Sequence, residues 1–60
     1  MLIEERLNKI VEIIRINDSA RIEELAETLE VSRDTVRRDL IRLENEEIIK
    51  RTHGGAVLND

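Results

Sequence analysis

Val31-Ser32-Arg33-Asp34-Thr35-Val36-Arg37-Arg38-Asp39-Leu40-Ile41-Arg42-Leu43 decides the fold of this chain. Ser32 is an N-cap residue type, able to accept a hydrogen bond from an orphan backbone N–H of a first helical turn. Val36, Leu40 and Leu43 follow at i, i+4 and i+7, the spacing of one buried helix face. At about 100° per residue, Arg38 falls nearly opposite that stripe. Asp34, Ile41 and Asn45 lie near Arg38, and Arg37 and Thr35 on its shoulders. The spacing predicts a helix over about 32–46, one face in the core and the other carrying arginines and small hydroxyls. Most charge runs are plain solvated faces. Four arginines on one short helix also suit phosphate and guanine contacts.

Upstream, Leu2 to Ile16 has Ile3, Leu7, Ile10, Val11 and Ile14 at helical spacing with charged residues between them. This predicts a first amphipathic helix, and Ile13 and Ile16 widen its apolar face toward two neighbours. Asn17-Asp18-Ser19 is turn chemistry. Ala20 to Ile22 reads as a short extended link, at most one strand residue pair. Glu23 to Leu29 reads as a second helix, with Ile22, Leu25, Ala26 and Leu29 inward and Glu23 and Glu24 at the positive end of its dipole. Glu30-Val31-Ser32 then makes a tight turn, giving a helix-turn-helix arrangement.

Downstream of Glu47 the period changes. Ile48-Ile49-Lys50-Arg51-Thr52 is β-prone, His53-Gly54-Gly55 is a turn, and Ala56-Val57-Leu58 is apolar again. Two short apolar runs around a Gly-Gly turn predict a two-stranded hairpin. The fold class is therefore mainly α with a small β-hairpin: a three-helix bundle plus wing, or winged helix-turn-helix. The expected core is Leu7, Ile10, Leu25, Leu29, Val36, Leu40 and Leu43.

Sixty residues limit the chain to one small domain. Such a chain buries only ~60% of its unfolded surface and is marginally stable. It has no Phe, Trp, Tyr, Pro or Cys, so disulfides and cysteine-ligated zinc are excluded, and one histidine makes no metal site. No cofactor is expected. No apolar run approaches a membrane span, and the start is no signal peptide. Net charge is −4. The acid excess lies in residues 1–31, with four basic and eight acidic side chains; residues 32–60 carry six of each. A local positive face on an acidic protein should bind DNA weakly unless specific contacts, low salt or multimers help.

Glu23-Glu24-Leu25-Ala26, residues 31–40, Leu43-Glu44 and Arg51-Thr52-His53-Gly54-Gly55-Ala56 together carry a family resemblance over nearly the whole chain. It resembles the N-terminal DNA-binding domain of DeoR-type bacterial transcription regulators. The pairing of Arg37-Arg38-Asp39-Leu40 with His53-Gly54-Gly55-Ala56 makes the resemblance specific. It implies operator binding on double-stranded DNA, usually as a repressor of sugar or related metabolism, in the bacterial cytoplasm. It also implies a longer, oligomeric protein whose C-terminal domain senses a phosphorylated sugar or related metabolite. Residues 1–60 then read as an excised, monomeric DNA-binding domain. Two positions depart from the pattern. Glu47 stands where glycine usually ends the third helix, which leaves that helix end open. Arg21 stands where Ser or Thr usually caps the second, a cation at the positive end of a dipole.

A recognition helix presents its N-terminal residues to base edges. Arg33 and Arg37 are the expected base readers by bidentate pairing with guanine. Arg38 reads a base or clamps a phosphate, and Arg21 reaches a phosphate beside the helix. Ser32 and Thr35 suit phosphate oxygens. His53 and Gly54, at the tip of a wing over 49–58, meet the backbone or minor groove. Asp39 reads as structural, orienting a neighbouring arginine. Lys50 and Arg51 alternate across a strand, so only one faces DNA.

The main rival is a winged-helix protein-interaction module, which suits the acidic charge but does not need the Ser-Arg and Arg-Arg chemistry. Single-strand or RNA binding would use aromatic stacking, and there are no aromatic residues. An enzyme is not expected: the chain has no metal cluster and no room for a substrate cavity.

Overall fold

The computed structural model describes residues 1–59. The order is α1 (Ile3–Asn17), β1 (Ser19–Arg21), α2 (Ile22–Leu29), α3 (Arg33–Asn45), β2 (Ile49–Thr52) and β3 (Gly55–Leu58). The winged helix-turn-helix arrangement expected from the periodicity is what forms.

One correction concerns the sheet. It has three strands in the order β1-β3-β2, not two. The link before α2 is itself an edge strand, with Ser19, Ala20 and Arg21 opposite Val57, Ala56 and Gly55. A second correction follows from the first. The hairpin turn is His53-Gly54, because Thr52 pairs with Gly55 and Gly55 belongs to β3. Gly54 supplies the positive φ (79°) that the second turn residue takes. Gly55 is there for a different reason: a Cβ on it would stand 2.2 Å from the Ala20 carbonyl oxygen. Only glycine lets β1 close on β3.

All seven expected core residues are buried, joined by Ile14, Ala20, Ala26, Ile49 and Ala56. Strand alternation explains the last two of the sheet: Ile49 and Ala56 share the face turned to the helices. The apolar face of α1 is narrower than expected. Ile13 packs beside the core, but Ile16 is 71% exposed and Ile3 43%. Both lie within a turn of the helix ends.

The open question at the end of α3 is resolved by a left-handed residue. The helix stops at Asn45, Glu46 caps it, and Glu47 takes φ 61°. Ile48 N–H then donates to Leu43 C=O (3.0 Å) and Glu47 N–H to Glu44 C=O (2.9 Å), the two bonds of a Schellman motif. The backbone is therefore in the conformation glycine favours, held by a residue with a Cβ. Glu47→Gly is expected to stabilise the fold by about 1 kcal/mol, since left-handed geometry costs an L-residue roughly 1–2 kcal/mol and glycine's entropy offsets part of the gain. A higher urea midpoint at unchanged slope would show it.

Candidate nucleic-acid interface

The outward face of α3 is set by what its inward face buries. Val36, Asp39, Leu40 and Leu43 are buried, which turns Arg33, Asp34, Arg37, Arg38, Ile41 and Asn45 to solvent. Ser32 caps the helix as its type predicts, its Oγ accepting from Thr35 N–H at 3.1 Å. The same hydroxyl donates to Thr35 Oγ1 at 3.0 Å. The two hydroxyls thus form one polar group at the positive end of the α3 dipole, suited to an anionic oxygen.

Each of the three candidate arginines on α3 holds an acidic partner. Arg33 pairs with Glu23 on the first turn of α2 (3.4 Å). Asp34 lies on the helix surface between Arg37 and Arg38 and takes both, at 3.1 and 3.5 Å. Sequence reading placed Asp34 on this face but gave it no role; the i+3 and i+4 spacing to the two arginines was the available signal. All these groups are exposed, and such pairs are worth ~0–1 kcal/mol each. They are therefore readily exchanged for a phosphate or a guanine edge.

Arg21, His53 and Gly54 come together at the other end of the site. Gly54 C=O accepts from Ile22 N–H at 2.9 Å, satisfying a backbone donor at the start of α2. The wing tip is thereby docked on α2, directly beside Arg21, whose Cα faces Gly55. Arg21 makes no side-chain capping bond. Its backbone N–H donates to Glu24 Oε1 at 3.3 Å, the half of a capping box that the N3 glutamate supplies. The first turn of α2 connects the two groups, through Gly54–Ile22 on one side and Glu23–Arg33 on the other.

Two other charges are committed within the fold. Asp39 is 4% exposed and accepts from Arg6 of α1, Nη2 to Oδ1 at 3.0 Å and Nε to Oδ2. The expectation that it orients a neighbouring arginine is corrected: its partner lies 33 residues away, on another helix. Its place between Val36 and Leu43 on the buried stripe was the signal. The bidentate carboxylate holds the Arg6 proton more firmly than usual. Arg51 pairs with Glu44 at 2.9 Å across to α3. Its backbone N–H, and then its guanidinium, hold the Glu44 carboxyl below its ordinary range. Lys50 points to the opposite side of β2.

Among the described residues, no group of three His, Cys, Asp or Glu is placed to hold a metal ion, and no helix is long and apolar enough to cross a membrane.

Comparison with known proteins gives a consistent result. The pattern of the family described as the DeoR-like helix-turn-helix domain matches residues 6–60. The uncharacterized HTH-type transcriptional regulator YulB of Bacillus subtilis (strain 168) is 49% identical over 57 residues, covering 95% of this chain and 22% of that protein. The HTH-type transcriptional repressor GlcR of the same strain is 46% identical over 55 residues, 92% of this chain and 21% of that protein. The lactose phosphotransferase system repressor of Staphylococcus aureus (strain NCTC 8325 / PS 47) is 47% identical over 55 residues, 92% of this chain and 22% of that protein. The chain thus spans about a fifth of the length of these relatives. No solved structure matches it.

Proposed function

Since the chain belongs to the DeoR-like helix-turn-helix family, we propose that it is the sequence-specific, double-stranded DNA-binding domain of a transcription regulator. α3 enters the major groove, and the wing tip and Arg21 rest on the adjoining backbone or minor groove. The observation that carries this reading is the division of α3. Its apolar stripe is wholly committed to the core, and the arginines opposite it are held only by exposed, exchangeable ion pairs.

In this reading Arg33 and Arg37 leave their carboxylates for guanine O6 and N7, a bidentate contact that the planar guanidinium fits. Arg38 takes a base or a phosphate. Ser32 and Thr35 meet a phosphate oxygen at the helix start. His53 and Gly54 approach the backbone where no side chain at Gly54 stands in the way. The names of two relatives, a transcriptional repressor and a lactose phosphotransferase system repressor, support repression of a sugar-related operon. The regulator is then longer than residues 1–60, oligomeric and cytoplasmic, and a phosphorylated sugar or related metabolite binds outside this domain. Two copies on adjacent half-sites would add to the affinity of one acidic domain.

Selection of bound duplexes from a random pool at low salt tests the reading. Enrichment of a defined sequence supports it. Recovery of unenriched DNA, or of none, would overturn it and favour the protein-interaction alternative.

Arg21 has a separate expected signature. As a phosphate contact it carries no sequence information, so Arg21→Ala is expected to weaken selected and scrambled duplexes alike. It should also lower the slope of log affinity against log salt by about one. A loss confined to the selected duplex would make Arg21 a base reader instead.

A further inference from the structure

Ile41 is a large apolar side chain outside the core. It is 38% exposed and lies outside the core cluster and the residues packed against it. The other exposed large hydrophobics among the described residues are Met1, Leu2, Ile3 and Ile16, at or within α1, and Ile48, which follows the α3 cap. Ile41 alone stands on the outward face of α3. It follows Asp34, Arg37 and Arg38 at i+7, i+4 and i+3, so the four side chains form one stripe along the helix. That stripe has the spacing by which a helix follows the floor of a major groove. Helical side chains lean toward the N-terminus, which places the Ile41 methyls over the turn bearing Arg37 and Arg38.

We propose that Ile41 is a specificity-determining residue that reads the 5-methyl group of a thymine, one step along the groove from the base met by Arg37. The inference rests on the DNA-binding reading above. Thymine carries an apolar group on its major-groove edge, and an apolar side chain there distinguishes it from the other bases. A β-branched residue in a helix holds essentially one χ1 rotamer, so Ile41 loses little freedom on contact. Its position beside two guanidinium groups fits a mixed sequence, with guanine and thymine at neighbouring steps.

The test uses the 60-residue chain and the duplex it enriches from a random pool. Each thymine is replaced singly by deoxyuridine, which removes only the methyl group, and binding of the parent is compared with that of Ile41→Ala and Ile41→Val. Alanine is a better helix former than isoleucine, so the truncated helix is retained. At one thymine, deoxyuridine is expected to weaken the parent roughly fourfold, the worth of one buried methyl-sized group. Ile41→Ala should not respond at that position, and Ile41→Val should respond partly. If every deoxyuridine duplex affects the parent and Ile41→Ala equally, the inference is overturned while the DNA-binding reading stands. If no duplex is enriched, both fall.

Discussion

Leu40→Ala is expected to remove about 2–5 kcal/mol of stability, the usual cost of truncating a fully buried leucine. Leu40 is 0% exposed and sits at the middle of the α3 stripe, with Val36 one turn before it and Leu43 nearly one turn after. A domain of this size has about 3–9 kcal/mol in total, at roughly 0.05–0.15 kcal/mol per residue. The loss should therefore bring the chain close to unfolding at 37 °C. Thermal denaturation followed by far-ultraviolet circular dichroism measures it. A melting point within a degree or two of the parent would show that Leu40 is not the centre of the core.

Asp39→Ala is expected to be of similar weight for an electrostatic reason. Removing one partner of a buried ion pair typically costs about 3–5 kcal/mol, because the remaining charge stays desolvated. The Arg6 side chain keeps 16% of its exposure, so the low end of that range, about 3 kcal/mol, is expected. The pair is worth less than its loss implies. Arg6→Met combined with Asp39→Leu should recover most of the stability, since apolar packing replaces a buried pair at little cost. Urea titrations of the two single variants and the double variant form the measurement. A double variant as unstable as Asp39→Ala would show that the pair contributes attraction and not only mutual shielding. The pair also fixes α3 against α1, so its loss bears on how the arginine face is aimed.

Most of this fold was legible because its signals are local. The Val36-Leu40-Leu43 stripe and the Ser32 cap each act within one or two turns of chain and form as read, and the glycine pair marks the hairpin, although the turn itself is His53-Gly54. What escaped depends on residues far apart. Ser19–Arg21 is too short to announce more than one strand residue pair, and its partner lies at Gly55–Val57. The second glycine looked like part of a turn because nothing near it shows that the Ala20 carbonyl approaches from another strand. Arg6 could not be matched to Asp39 across 33 residues without the fold. Ile16 illustrates the opposite failure: periodicity says where an apolar side chain points, not whether anything is there to cover it.

The candidate interface divides in the same way. The helix wheel alone placed Arg37 and Arg38 on the face away from the core, with Arg33 at the exposed helix start. Only the structure shows that Glu23 and Asp34 hold them before any ligand arrives, and that the wing tip is docked on the start of α2. If Arg37 turns to DNA, the Asp34 carboxylate is left beside the groove, where the amino group of a cytosine can donate to it.

The claim that α3 reads bases through Arg37 has one direct test: affinity of the parent and Arg37→Ala for the selected duplex and for a scrambled one, over a salt series. The account predicts a loss of about 1–3 kcal/mol on the selected duplex, with relaxed preference at one base pair and little change on the scrambled duplex. Arg37→Lys should recover little of it, because the planar fork is gone. Equal losses on both duplexes would make Arg37 a backbone clamp and contradict the account.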